Sequence, residues 1–239
     1  FIAWQFIGLS LYLLLNHYHY DLLANKAAKK KFMINRVGDV CFLIAVVICL
    51  KFYGTTDFAT ILQNKSAIDP YLLGLILIAI MTKSAQFPFH IWLIDTMEAP
   101  TPVSAMMHAG VINAGGFLLA RLSPLYNQTP RLMLLIFIIG LTSALLAMCF
   151  MQCQTDIKKR LAYSTTGQMG YMMLQCGLGC FASAIFHLIA HGFFKATLFL
   201  SSGNTLTQSN YLLPSVERSE QSRYRNWGIS LIATSIIVA

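Results

Sequence analysis

Five ionisable side chains fall where apolar sequence surrounds them. One group reads His187-Leu-Ile-Ala-His191-Gly-Phe-Phe-Lys195. Its three polar members are spaced by four and four. Each step of four turns a helix by about 400°, so they share an arc of roughly 80° and rise by about 6 Å per step. That makes a polar ladder on one face of an apolar helix. An imidazole titrates near neutrality, and burial brings an amine toward the same range. Bridged by water, such a ladder can pass protons. A metal site using His187 and His191 is the competing chemistry, but the span holds no carboxylate and no H-E-x-x-H glutamate. Isolated structural histidines are the other alternative.

A second group reads Lys83-Ser-Ala-Gln86-Phe-Pro88-Phe-His90. Pro88 cannot donate its backbone hydrogen bond, so the helix is expected to kink or break there. Lys83, Gln86 and His90 have the spacing of one helical face. A lysine at mid-bilayer costs roughly 2.5–3.5 kcal/mol on insertion scales, so Lys83 and Lys195 either face a bundle interior or snorkel to an interface. Farther on, Asp95 and Glu98 precede Pro100-Thr101-Pro102, where Thr101 is expected to cap a helix with Pro102 in its first turn. His108 follows two turns later. Gly110, Gly115 and Gly116 on the same span are expected to allow close helix packing.

The elements that carry these residues follow from composition. The chain has 239 residues, 56% hydrophobic and 11% charged, against about 25% charged in a soluble domain. Mean hydropathy is +0.62. A soluble enzyme, a disulfide scaffold and a disordered chain are excluded. The expectation is an all-α, polytopic transmembrane helix bundle. Apolar runs of about 20 residues fall near 1–16, 32–51, 71–89, 102–120, 132–151, 161–179, 181–200 and 227–239. These are about eight spans in a single transmembrane domain covering 1–239, with a broken helix near Pro88. The stretch 201–226 reads as an exposed loop with room for a surface helix. An apolar start at Phe1 and a short apolar end suggest the central block of a longer chain.

The formal net charge of +8 follows topology. With the first span running outward to inward, inner loops carry Lys26, Lys29, Lys30, Lys31, Lys158, Lys159, Arg160, Arg218, Arg223 and Arg225. The outer ends carry Lys51, Lys65, Arg121 and Arg131. This is the positive-inside bias. A nucleic-acid partner is not expected, because the charges flank apolar spans. The six cysteines show no C-x2-C knuckle and read as small packing residues. No dinucleotide-binding turn and no Fe–S spacing is present, so neither cofactor nor metal is expected in this chain. A transporter subunit is expected rather than an enzyme with chemistry of its own.

Five stretches resemble one superfamily: Lys83-Ser-Ala-Gln-Phe-Pro-Phe-His-Ile-Trp-Leu, Met97-Glu-Ala-Pro-Thr-Pro-Val-Ser-Ala, His108-Ala-Gly, Thr155-Asp-Ile-Lys-Lys-Arg-Leu-Ala-Tyr-Ser and His187-Leu-Ile-Ala-His-Gly-Phe-Phe-Lys-Ala. Asn35-Arg-Val-Gly-Asp39 fits as well. The superfamily comprises the proton-translocating antiporter-like subunits of respiratory complex I, of Mrp-type sodium/proton antiporters and of inorganic-carbon transporters (DabB). The resemblance implies about 14 core helices in the whole protein and a proton path along the membrane midplane. It makes Lys83 the central lysine on the broken helix, His108 the histidine of the next span, and His187, His191 and Lys195 the relay.

Two departures stand out. Complex I relatives carry Trp-Glu on the first span, and the glutamate pairs with the central lysine; here the pair is Trp4-Gln5. A neutral amide cannot stabilise a lysinium as a carboxylate does, which leaves Asp39 as the candidate supporting acid. Ile94 stands where the pattern usually has Pro. The segments beginning at Gly110 and Leu174 resemble the DabB branch most. That branch implies inorganic-carbon (bicarbonate or CO2) uptake driven by proton or sodium flow, in the cell inner membrane. Its implied partners are other membrane subunits and a soluble, zinc-containing, carbonic-anhydrase-like subunit of DabA type. The alternatives are a complex I pump subunit and an Mrp-type antiporter.

Overall fold

The computed structural model describes residues 1–16, 22–55, 61 and 69–210, and every element among them is helical. The chain divides into two compact units, Phe1–Gly203 and Asn204–Ala239. Of the second, only the run to Asn210 lies among the described residues, so the expected span at 227–239 falls outside them.

The elements are α1 Ile2–Leu15, α2 Leu22–Tyr53, α3 Pro70–Lys83, α4 Ile91–Asp95, α5 Thr101–Met106, α6 Asn113–Arg121, α7 Ser123–Tyr126, α8 Pro130–Gln152, α9 Ile157–Gly177 and α10 Phe181–Asn210. A π-helical turn, Met107–Val111, joins α5 to α6. Four stretches are long and apolar enough to cross a membrane: Ala24–Tyr53, Thr101–Arg121, Pro130–Gln152 and Phe181–Ser202. α1 and α3 are shorter apolar helices. The protein is a multi-pass membrane helix bundle.

Its surface is inverted relative to a soluble domain. Phe6, Leu13, Val40, Val47, Leu134, Leu145, Phe186 and Phe193 point outward, while Lys31, Asn35, Asp39, Lys83, Gln86, His108, Thr165, His191 and Lys195 are buried. Lipid solvates the former; only a protein interior or a wet cavity accommodates the latter. α8 lies along α9, α2 along α3, and α1 against α2. Small residues set the α8–α9 distance. A Cβ on Gly140 would meet the Leu174 nitrogen and the Gly170 oxygen, and one on Gly170 would meet the Ala144 nitrogen. This is the small-residue packing of membrane helices. Two acids act as caps: Asp69 accepts from the Tyr71 amide, and Asp156 from those of Lys158 and Lys159.

Several expectations are corrected. α2 begins ten residues before its expected start at 32, so Lys26–Lys31 is helix rather than loop. α10 continues to Asn210, through the first part of the expected loop. α3 ends at Lys83, five residues ahead of Pro88, so Lys83, Gln86 and His90 do not share a helical face. α5 starts at Thr101 behind Pro100, and no side chain caps it. Asp95, ahead of that helix, pairs with Lys30 at 2.6 Å. A Cβ on Gly115 or Gly116 would collide with Ser84 or Met172, as a packing role requires, but one on Gly110 meets nothing within 4 Å.

Candidate functional site

The break after α3 creates the first polar centre. The break itself runs through Ser84, Ala85 and Gln86, all buried, with Ala85 at a φ of 49°. A helix end inside a membrane protein leaves carbonyls without helical partners, and two of them are answered locally. The Gln86 amide donates to the Met81 carbonyl (3.0 Å), and the buried Trp92 indole donates to that of Thr82 (3.1 Å). Ser84 Oγ donates to the Ile112 carbonyl (2.8 Å). The break is thereby tied to the turn that carries His108.

Lys83 sits on this break, 2% exposed. Its ammonium donates to the Trp4 carbonyl of α1 (3.1 Å) and lies 4.6 Å from the centroid of the Trp4 ring. Both contacts suit a cation. The ammonium lies against Gly8, where a Cβ would sit 3.5 Å from Lys83 Nζ, in ordinary contact. α2 approaches α3 at Gly38, where a Cβ would meet Thr82. That crossing delivers Arg36 and Asp39 to the same centre.

Asp39 is spoken for. It forms an ion pair with Arg36 and accepts from the Trp4 indole at 3.0 Å. Arg36 also donates to Gln5 Oε1 at 2.8 Å. Among the described residues, Lys83 makes no ion pair with a carboxylate. Asp39 therefore reaches Lys83 through its field, with Trp4 lying between them. Gln5 serves as an acceptor for Arg36 and does not touch the lysine.

Lys31 was missed by reading it as one of three loop lysines. It is wholly buried and donates to the Gly8 carbonyl at 2.9 Å. Its neighbours Lys29 and Lys30 are exposed. The signal was present: Lys31, Asn35 and Asp39 repeat every four residues, as His187, His191 and Lys195 do, and all three are buried.

The second centre joins α5–α6, α9 and α10. His108, fully buried on the π-helical turn, places Nδ1 3.0 Å from Thr165 Oγ1 and stacks on Phe199 with ring centroids 4.3 Å apart. Thr165 Oγ1 also lies 3.0 Å from the Leu161 carbonyl. Lys195, wholly buried, donates to that same carbonyl at 3.1 Å. One carbonyl oxygen thus joins the lysine to the threonine, and the threonine to the histidine. The hydroxyl has one proton. Either it donates to Leu161 and accepts from His108, or it donates to a bare His108 Nδ1.

His191 and His187 continue the row away from Lys195. Their ring centroids are 6.2 Å apart, about one helical turn. His191 is buried; His187 is half-buried, with Nδ1 3.3 Å from Gln175 Oε1. The sequence-predicted residues therefore fall into two groups, Lys83 beside Asp39, and His108 with His187, His191 and Lys195. His90 stands apart, stacked on Phe87. Among the described residues no cluster of His, Cys, Asp or Glu could hold a metal.

Comparison with known proteins decides the family. The family model for the transmembrane region of NADH:quinone oxidoreductase and Mrp antiporter subunits matches residues 1–236. The chain belongs to this family. A probable inorganic carbon transporter subunit, DabB1, of Halothiobacillus neapolitanus is 44% identical over 219 residues, covering 87% of this chain and 39% of that protein. NADH-ubiquinone oxidoreductase chain 5 of Metridium senile is 44% identical over 212 residues, covering 86% and 35%. NADH-quinone oxidoreductase subunit L of Rickettsia conorii is 41% identical over 219 residues, covering 86% and 33%. A chain in the solved Mrp complex from Dietzia sp. DQ12-45-1b superimposes with a TM-score of 0.82 at 36% identity, over 87% of this chain and 24% of that one. This antiporter-like chain thus spans between a third and two fifths of the curated relatives it matches.

Proposed function

We propose that this antiporter-like chain is the proton-conducting part of a membrane subunit that takes up inorganic carbon. The observation that carries the reading is the burial of Lys83 and Lys195, at 2% and 0% exposure, with no carboxylate ion-paired to either among the described residues. Each donates its hydrogen bond to a backbone carbonyl, and Lys83 also lies over the Trp4 ring. An amine so placed, in a bilayer-spanning bundle, can give up a proton and remain hydrogen-bonded. His108 Nε2, Gln86 Oε1, Thr166 Oγ1 and the ring nitrogens of His191 are buried without a protein partner among the described residues. Water satisfies groups of this kind in proteins, and a water-bridged row of titratable groups is a route for protons.

In this mechanism Lys83 is the switch, with Asp39 as its supporting acid. His108 and Thr165 link it to Lys195, and His191 and His187 carry the proton onward. The carbon-uptake reading is supported by the 44% likeness to DabB1 and by Gln5, which leaves Lys83 without the glutamate of complex I relatives. It implies protons or sodium as the coupling ion, further membrane subunits, a soluble zinc-containing carbonic-anhydrase-like partner, and the cell inner membrane. The equal identity to the Metridium chain 5 supports the second reading, a pump subunit of a quinone-reducing complex.

The test is growth of a carbon-uptake-deficient host given the full-length gene and its genomic neighbours. Rescue by the wild type and loss of rescue by Lys83→Met, at equal membrane abundance, are expected. Rescue by Lys83→Met refutes Lys83 as the switch. Failure of the wild type, with restoration of NADH-linked proton pumping in a complex I mutant, favours the second reading.

A further inference from the structure

Lys31 is a buried amine that the path above does not use. It lies at the start of the Lys31, Asn35, Asp39 row of α2, facing α1. Lys83 reaches the same face of α1 from α3. Their anchors, the carbonyls of Gly8 and Trp4, are one helical turn apart on α1, about 6 Å along its axis. Arg36 stands beside both, since a Cβ on Gly8 would lie 3.5 Å from Lys83 Nζ and 3.7 Å from Arg36 Nη2.

Charge decides what two such amines can do. The charged groups facing Lys31 are Lys83 from α3, and Arg36 and Asp39 from its own helix; α1 contributes the carbonyl of Gly8, and its one ionisable side chain, Tyr12, packs against Phe32. Arg36 stays charged under all physiological conditions, and its ion pair with Asp39 neutralises both. No further carboxylate is paired to the lysines among the described residues. Two ammonium groups whose carbonyl anchors are a turn apart, both away from water, repel each other. Asn35, one turn on from Lys31, is 3% exposed and has neither polar side-chain atom bonded to protein. It extends the polar row from Lys31 toward Asp39.

We propose that Lys31 is a second proton-holding residue of the Lys83 centre, on its lysine-rich, inner side, and that the two lysines share one proton. In the transfer, an N–H bond of the Lys31 ammonium breaks and an N–H bond forms on the neutral Lys83 amine. Lys31 is left as a neutral amine, and regains a proton from the inner side once the Lys83 ammonium has passed its own proton onward and is again a neutral amine. The total charge of the centre is unchanged by the exchange, which avoids the repelled doubly protonated state. This rests on the proposed role of Lys83 and adds the group that loads it.

The test uses the full-length chain in its native complex, with Lys31→Gln and Lys31→Arg alongside Lys83→Met. Transport rate is measured from external pH 6 to 9 at matched membrane abundance. Glutamine keeps a donor for the Gly8 carbonyl but carries no proton; arginine keeps the charge but does not release it. Both variants are expected to lose at least tenfold in rate, and the residual rate of Lys31→Gln is expected to show a changed pH profile. A wild-type rate and profile in Lys31→Gln overturns the proposal, as does recovery in Lys31→Arg, which a structural cation would give. Loss of Lys31→Gln from the membrane points to a packing role and overturns it too. If Lys31→Gln is active and Lys83→Met is dead, only this inference fails; an active Lys83→Met removes the reading on which it rests.

Discussion

Replacing Thr165 by valine isolates one link of the second centre. The shape of the side chain is kept, so the α9 packing around it should hold. What goes is a buried hydroxyl that lies 3.0 Å from His108 Nδ1 and 3.0 Å from the Leu161 carbonyl. That carbonyl keeps Lys195 as a donor, so only the histidine is orphaned. His108 Nε2 already lacks a protein partner among the described residues, and Nδ1 would then lack one as well. Leaving a buried polar group unpaired costs about 1–3 kcal/mol. Applied to the step in which His108 holds or passes a proton, that is roughly a 5- to 150-fold loss. The assay is the transport rate of the intact complex at matched membrane abundance. Thr165→Ser, which restores the hydroxyl, should return most of the rate. A wild-type rate in Thr165→Val would refute the link between His108 and Lys195 through this threonine.

Two packing predictions are independent of the path. Gly140→Val drives a side chain into the backbone of α9 at Gly170 and Leu174 and should cost about 1–3 kcal/mol as overpacking, read as a lower Tm of the purified complex. Gly110→Ala, whose Cβ meets nothing within 4 Å, should leave the Tm unchanged or slightly raised. Trp92→Phe removes the donor to the Thr82 carbonyl at the helix break and should lower stability by about 1–3 kcal/mol, measured by thermal unfolding in detergent.

Much of this site was legible because lipid makes charge scarce. Lys83, His108, His187, His191 and Lys195 stood out against apolar sequence, and four of the five prove buried, with His187 half-buried. Lys31 did not stand out because it ends a run of three lysines, and a run reads as a solvated end. Only its period of four with Asn35 and Asp39 separates it from Lys29 and Lys30. The break lies where Pro88 placed it, across residues 84–90, but its first residue was not legible. Pro88 marks where a helix cannot continue, and the helix already ends at Lys83, where the Trp92 indole and the Gln86 amide take the Thr82 and Met81 carbonyls. Trp92 is ten residues from Thr82, and no helical periodicity signals that pairing. The π-helical turn under His108 is equally invisible to periodicity. Asp39 stood out as an acid on an apolar span, yet its partners, Arg36 and Trp4, could be assigned only once α1 and α2 were packed together.

Proton movement itself is the most direct measurement of the central claim. The complete complex, reconstituted in sealed vesicles with a trapped pH-sensitive dye, should acidify or alkalinise the lumen when its driving gradient is applied. With Lys83→Met at equal reconstitution, that signal should vanish, because the proposed path runs through the buried amine on the helix break. A Lys83→Met complex that moves protons at the wild-type rate would contradict the account.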